Sequence, residues 1–364
     1  MTAPEVAHYG GPGQGAAPVI CRTAAQNGLA FSAYQSWAFR RAELTAFSES
    51  PFHLPSGERL TMAFLRTLPP ELLGVERLLA LGAALVGELL EGLPALPADL
   101  PFGALLALPE RMSEAGTKSG KAARRRLEEG LAEGLAARGL SPLLRTIPRG
   151  HASLAFALAE AADALRARAV ELAIVGGLDT HYDPEVIDAL AEAGRLFDGE
   201  DQDTFIPGEG GALLLCARPD VARRLELEPL LRVESVATGA EVAVVGSDVP
   251  SLGQGLSRPA RALCDRLQRE GRTLDWWITD MTAEDRRTTE LQLVWPRIAQ
   301  GVATNRSQID HLYGHFGDLG AAAMPTGLAI AAEGMLRGDP RAASCLVTGS
   351  SDGPDRGAIL VARP

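Results

Sequence analysis

Residues 150–180 read GHASLAFALAEAADALRARAVELAIVGGLDT. A Gly-His pair opens the stretch, and an Ala/Leu-rich segment with helical spacing follows over 153–168. An apolar run over 170–175, broken only by Glu171, then ends in Gly176-Gly177. This order predicts a turn, a helix, a buried strand and a glycine turn. Residues 314–349 repeat it, with Gly314-His315, a helix over 324–336, a strand over 344–348 and Gly349. A short acidic turn follows each copy, Gly177-Leu178-Asp179 or Ser350-Ser351-Asp352. After it comes a matching strand, GALLLCARP at 211–219 and GAILVARP at 357–364. Four elements in one order, twice over, predict a duplicated βαβ-rich unit with halves at 1–220 and 221–364. The two Gly-His turns are then expected at equivalent strand-to-helix junctions, at helix N-termini where backbone N–H groups point outward.

The rest of the chain fits around this unit. Further strands are expected at 142–147, 230–238, 241–245, 276–279 and 358–362, and helices at 184–193, 259–270 and 288–300. Upstream, 1–18 reads as a loose Gly/Pro/Ala arm, and 51–70 as Pro-rich loop with one short strand. Helices are expected over 71–93 and 113–139, with a strand at 103–108 between them. The alternation predicts an α/β fold with a buried sheet.

Composition narrows the function. The 364 residues carry 46 acidic against 35 basic side chains, a formal charge of −11. That argues against a nucleic-acid partner, which needs a basic surface. The most apolar stretch, 78–96, is broken by Glu88 and Glu91, so no membrane span is expected. Residues 1–15 lack a basic segment followed by an apolar one, so no signal peptide is expected. Four widely spaced cysteines, Cys21, Cys216, Cys264 and Cys345, form no CxxC pair. No zinc or redox motif follows, and a reducing, cytoplasmic setting is expected.

Several segments together resemble the β-ketoacyl synthases of the thiolase superfamily. AADALRARAVELAIVGGLDT (161–180) is similar to the family's helix, strand and glycine pair after the nucleophile. RLFD and FIPGEGGALLL (195–215) resemble its Phe-Asp turn and the strand that follows a GEG. GHFGDLGAA (314–322) resembles its second-histidine motif, and GSSDGPDRGA (349–358) stands where its C-terminal glycine-rich gating loop lies. The resemblance implies a thiolase-like, five-layered α-β-α-β-α fold with two duplicated halves. It also implies a homodimer, or a heterodimer with a ketosynthase, that pairs through the edge strand at 142–147. Acyl carrier protein or acyl-CoA is the implied ligand, with no cofactor and no metal.

The family's chemistry uses one cysteine, acylated as a thioester, and two histidines. Counting back twenty-five positions from Gly176 places His151 at the cysteine position, and a shift of one residue would place Gly150 there; neither is cysteine. His315 keeps the second histidine. Met281 or Thr282 stands at the first, and Asp310 replaces a lysine usual a few residues before the second. Imidazole is a poor store for an acyl chain, because an acyl-imidazole hydrolyses readily. Losing one oxyanion donor typically costs about 10²–10³ in rate. The expectation is a chain that binds acyl thioesters or a carrier protein, or partners an active synthase, without condensing. The alternative is an active acyltransferase, malonyl decarboxylase or thioesterase that uses His151 and His315 as an acid/base couple.

Other residues are read against simpler roles. Asp310 and Asp318 are expected to orient His315. Two histidines and a carboxylate have the composition of a metal site, but no metal is assigned. His311 and His315 are four apart, yet Gly314 and Gly317 predict a loop rather than one helix face. Glu209 is expected to cap backbone amides, and Asp280 and Glu284 to be solvated loop acids. Residues 116–121 (GTKSGK) resemble a phosphate loop, but Ala122 stands where Ser or Thr belongs and no strand precedes. Arg124, Arg125 and Arg126 are expected on a solvated helix face, and Trp276 and Trp277 in the core. Ser153 has no G-x-S-x-G around it, which argues against a serine hydrolase.

Overall fold

The structure is a computed structural model and describes residues 4–10, 16–94, 96–97, 100–339 and 343–364. Its strands are β1 (Glu5–His8), β2 (Val19–Asn27), β3 (Ser48–His53), β4 (Arg59–Met62), β5 (Phe102–Ala107), β6 (Leu143–Ile147) and β7 (Leu172–Thr180). They continue as β8 (Glu209–Ala217), β9 (Leu231–Ala240), β10 (Trp276–Thr279), β11 (Gln308–His311), β12 (Ser344–Ser350) and β13 (Asp355–Ala362). The helices are α1 (Ala33–Arg41), α2 (Gly74–Leu90), α3 (Lys118–Ala136), α4 (Ser153–Arg166) and α5 (Pro184–Glu192). After these come α6 (Pro219–Arg224), α7 (Gln254–Arg269), α8 (Asp285–Ala299), α9 (Tyr313–Phe316) and α10 (Ala323–Leu336).

Strand order shows the duplication directly. The first half runs β2-β8-β7-β5-β6, and the second runs β9-β13-β12-β10-β11. In each, the first two joins are antiparallel and the last two parallel. Among the described residues the two strand sets join where Val19 and Ile20 of β2 pair with Arg232 and Leu231, and β1 also pairs with β9.

Side-chain alternation sets the layers. Leu105, Ala107, Ala173 and Val175 of one sheet and Trp276, Ile278, Cys345 and Val347 of the other share a core with α4 and α10. The opposite faces point outward. Ala104, Leu106, Leu172 and Ile174 pack against α2 and α3. Ala237, Trp277, Leu346 and Leu360 pack against α7 and the buried Val294 and Ile298 of α8. The order is therefore α, β, α, β, α, with α4 and α10 between the sheets; α4 reaches solvent at its C-terminal end through Asp163 and Arg166. Their composition fits this. α10 is apolar almost all round, and twelve of its fourteen residues are buried.

The halves interlock at two one-turn 3₁₀ segments, Gly150–Ala152 before α4 and Gly320–Ala322 before α10. Gly150 and Gly320 both hold positive φ, at 65° and 52°. A Cβ on Gly349 of β12 would lie 2.4 Å from the carbonyl oxygen of His151. A Cβ on Gly177 of β7 would lie 2.4 Å from that of Ala321. These reciprocal contacts relate residue 151 to 321 and residue 177 to 349.

This register corrects two expectations. His151 is equivalent to Ala321, not to His315, which lies six residues earlier. Gly177, not Gly176, is the counterpart of Gly349, and β7 runs through both glycines to Thr180 instead of ending there.

Other differences are local. Glu5–His8 of the expected loose arm pairs antiparallel with β9, while 11–15 lie outside the described residues. β3 and β4 form a two-stranded hairpin where one short strand was expected. Residues 241–245 form no strand, because Glu241 turns back to cap the start of α7 through Gly255 N at 2.9 Å. Strand β2 and helix α1, unforeseen, fill the inner edge of the first sheet and its cover.

Gly177→Ala and Gly349→Ala should each destabilise the protein by about 1–3 kcal/mol, because the new methyl meets main chain that cannot swing aside. Urea denaturation checks this. Gly57→Ala, where nothing lies within 4 Å, is not subject to that clash.

Candidate functional site

Both 3₁₀ turns reach a cavity of about 960 Å³ beside the strand ends. Leu73, Leu78, Met112, Val186, Leu190 and Phe205 give it apolar walls. His151, His181, Asp318, Glu110, Arg195 and Asp352 bring polar groups to it. None of the four cysteines lines it, and all four are buried elsewhere.

His151 is 7% exposed. Its Nε2 lies 2.6 Å from Asp318 Oδ1. Nη2 of Arg287 lies 3.2 Å from its Nδ1 and 3.3 Å from its Nε2. An acceptor-bound Nε2 carries its proton, so Nδ1 is either protonated or turned to a guanidinium. Neither nitrogen offers a free lone pair.

Charge surrounds this pair. Arg287 also bonds Asp280 at 3.1 Å and Asp352 at 3.2 Å. Burial and Arg287 oppose a charged imidazole, while Asp318 and Asp280 favour it, and the net effect raises the His151 pKa. Burial works against the Asp318 carboxylate, but His151 above all holds its pKa well below the ordinary range. Both directions reflect the mutual attraction of the ring and the carboxylate.

The expected orienting acids divide. Asp318 bonds His151 rather than His315. Asp310 serves the core, taking Arg40 at 2.5 Å and the Trp276 indole at 2.7 Å. His315 stands apart from the cavity lining. Its Nδ1 faces the Leu44 carbonyl at 3.0 Å, and its Nε2 lies 4.0 Å from the exposed Glu43. It sits in the short helix α9, where a loop was expected, while His311 ends β11. The two imidazoles thus have no common hydrogen-bond partner, and of the two His151 lines the cavity.

Asp280 and Glu284 are not solvated, since each is only 6% exposed. Asp280 also accepts the Ser350 amide at 2.7 Å, and Glu284 binds Arg195 at 2.8 and 3.1 Å. Arg195 spans onward to Asp352 at 2.8 and 3.2 Å. Glu110 accepts the amides of Asp352 and Gly353, both at 3.0 Å. The loop after β12 is thereby tied on three sides. Glu209 is structural, as expected. It is fully buried, bonds Arg77, and accepts Thr180 Oγ1 at 2.9 Å and the Leu65 amide at 3.3 Å. Ser153 caps backbone, with Arg149 N at 2.8 Å and the Leu108 carbonyl at 3.2 Å. Trp276 and Trp277 are fully buried. Arg125 and Arg126 are exposed, and Arg124 half-buried against Glu128 and Thr146. Among the described residues no group of three metal-ligating side chains gathers, and no helix is long and apolar enough to cross a membrane.

Sequence reasoning missed Arg287, Arg195, Glu110 and His181. The first three are one charge among many on helix or loop. His181 had a readable signal, since it follows a buried strand and precedes the Asp183-Pro184 start of α5.

Two outcomes follow. His151→Gln should cost about 1.5–3 kcal/mol, because it replaces a charge-assisted hydrogen bond to the buried Asp318 carboxylate by a neutral one while Arg287 stays beside it. The His151 pKa is raised on folding, so its contribution is full below the ordinary value of 6.5 and lost as pH climbs through the raised one. The wild-type-minus-mutant difference, measured by urea titration across pH, should shrink on that alkaline side. Burial also raises the thiols, Cys21 and Cys264 to about 12, with Cys216 and Cys345 raised as well. A disulfide reagent at pH 8 should therefore titrate no thiol in the native protein and four in urea.

Comparison with known proteins agrees with this architecture. The family described as β-ketoacyl synthase, N-terminal domain, matches residues 150–220. No curated protein matches the sequence. Among solved structures, the chain is similar to the ketosynthase from module 6 of the bacillaene synthase of Bacillus subtilis 168, at 15% identity and TM-score 0.74. That match covers 96% of this chain and 72% of the other. It is also similar to the ishigamide ketosynthase/chain length factor, at 19% identity and TM-score 0.69, over 95% and 99% of the two chains. A third similar structure is a type II polyketide-synthase acyl-carrier protein in complex with its ketosynthase bound to the hexaketide. The match is at 14% identity and TM-score 0.75, over 96% and 99%. This is a ketosynthase-like chain with the fold of the thiolase superfamily.

Proposed function

We propose that this protein is a ketosynthase-like subunit that holds an acyl thioester, on a carrier protein or CoA, or partners an active synthase, and does not itself condense acyl chains. One observation carries the reading. The residue at the N-terminus of α4 is His151, and Asp318 and Arg287 claim both its nitrogens. Nucleophilic catalysis needs an unshared electron pair next to a base, and this ring has none to give. The apolar walls of the cavity suit an acyl chain instead. The similar structures include a ketosynthase/chain length factor and a carrier protein bound to its ketosynthase, which supports both partnerships for this chain.

Dimerisation through β6 belongs to the same proposal. β6 pairs only with β5, leaving its other edge open, and its Leu143 is 79% exposed. An open edge strand is a template for pairing with another chain. We further take 1–220 and 221–364 as the duplicated units, and the cytoplasm as the setting, since a reducing compartment keeps four thiols free. The alternative enzyme needs His151 and His315 at one carbonyl, and the Leu44 contact of His315 gives no support to that.

The test is to incubate the protein with malonyl and acyl pantetheine thioesters, following thiol release and, by calorimetry, binding. Binding without release above background is expected, in wild type, His151→Ala and His315→Ala alike. Release that depends on either histidine would establish the alternative, and absence of binding to thioesters and carrier protein would leave only a scaffold.

A further inference from the structure

His181 has no part in the reading above, yet it faces the cavity. It is 7% exposed, and its Nδ1 lies 2.9 Å from the Gly208 carbonyl oxygen. A carbonyl only accepts, so Nδ1 carries the proton, and in the neutral ring Nε2 is left as an acceptor. The ring packs edge-on against Phe205, centroids 5.8 Å apart, which fixes its direction. Among the described residues Nε2 has no hydrogen-bond partner, although the side chain is more than nine-tenths buried and lines the cavity. Open to the cavity and unpaired within the protein, this acceptor is available to a donor on a ligand.

The surrounding charge limits what that donor is. Glu76, Glu110, Asp179, Asp183, Asp318 and Asp352 all line the cavity, and its arginines are engaged with acids of the same wall. Glu76, Asp179, Asp318 and Asp352 are already paired with Arg126, Arg111, His151 and Arg195, so a negative or a positive ligand group would shed its hydration with little counter-charge left to replace it. An uncharged hydroxyl fits both limits.

We propose that His181 Nε2 accepts a hydrogen bond from a hydroxyl on the bound acyl chain, so that the cavity selects hydroxylated over saturated and over carboxyl-terminated acyl thioesters. This rests on the acyl-binding reading and adds the ligand's chemical class.

Calorimetry with the whole protein tests it, using decanoyl, 3-hydroxydecanoyl, 10-hydroxydecanoyl, 3-aminodecanoyl and 9-carboxynonanoyl pantetheine thioesters. One hydroxylated chain should bind about two- to tenfold tighter than decanoyl, the worth of one hydrogen bond, and the carboxylated chain weakest. His181→Asn keeps an amide nitrogen near the Nδ1 position for Gly208 but has nothing at Nε2. It should lose the hydroxyl preference, read as the ratio of hydroxylated to unsubstituted affinity within the same variant. Equal binding of decanoyl and both hydroxylated chains, a preference for the amino chain, or a preference that survives His181→Asn would overturn the proposal while leaving the acyl-binding reading intact. If no thioester binds, both fail together.

Discussion

Two carbonyl oxygens pressed against two glycines hold this fold in register. The His151 carbonyl sits on Gly349, and the Ala321 carbonyl on Gly177. Each contact brings a turn from one half onto a strand of the other, so neither half completes its site alone. Side-chain caps follow the same exchange. Asp179 accepts the Ala321 amide at 2.9 Å, and Ser351 accepts the Ala152 amide at 3.0 Å. Whatever stands at position 151 is therefore delivered to the border between the halves, where the second half supplies its neighbours.

Those neighbours decide the chemistry. Asp318 and Arg287 both come from the second half, and both reach the one imidazole that the first half presents. A lone buried ion is costly, and a well-bonded pair offsets much of that cost. The pairing extends through Asp280, Asp352, Glu284 and Arg195, so the loop after β12 is fixed by charge.

Much of the fold was legible in the sequence because it is written in apolar spacing. β10 falls on the residues expected, and α10 and β6 start within one residue of theirs. Periodicity says nothing about β2 or α1, whose mixed composition is set by what packs on them. The site was half legible. His151 was found from its distance to Gly176. The partner was misassigned because Gly314-His315 looks like Gly150-His151, whereas the structural equivalent is Gly320-Ala321. The reciprocal contacts with Gly349 and Gly177 reveal this, and the positive φ shared by Gly150 and Gly320 agrees. Arg287 reaches the site through a long side chain from α8, and no local pattern marks such a reach.

The charged pair at position 151 bears on what any residue placed there would inherit. A cysteine introduced at 151 would set its sulfur against the Asp318 carboxylate, which disfavours a thiolate. Arg287 would be free to close onto Asp318 and fill the vacated space. Reactivity at this position is thus a property of the surrounding charges, and a thiol installed alone would stay inert until its neighbours changed with it.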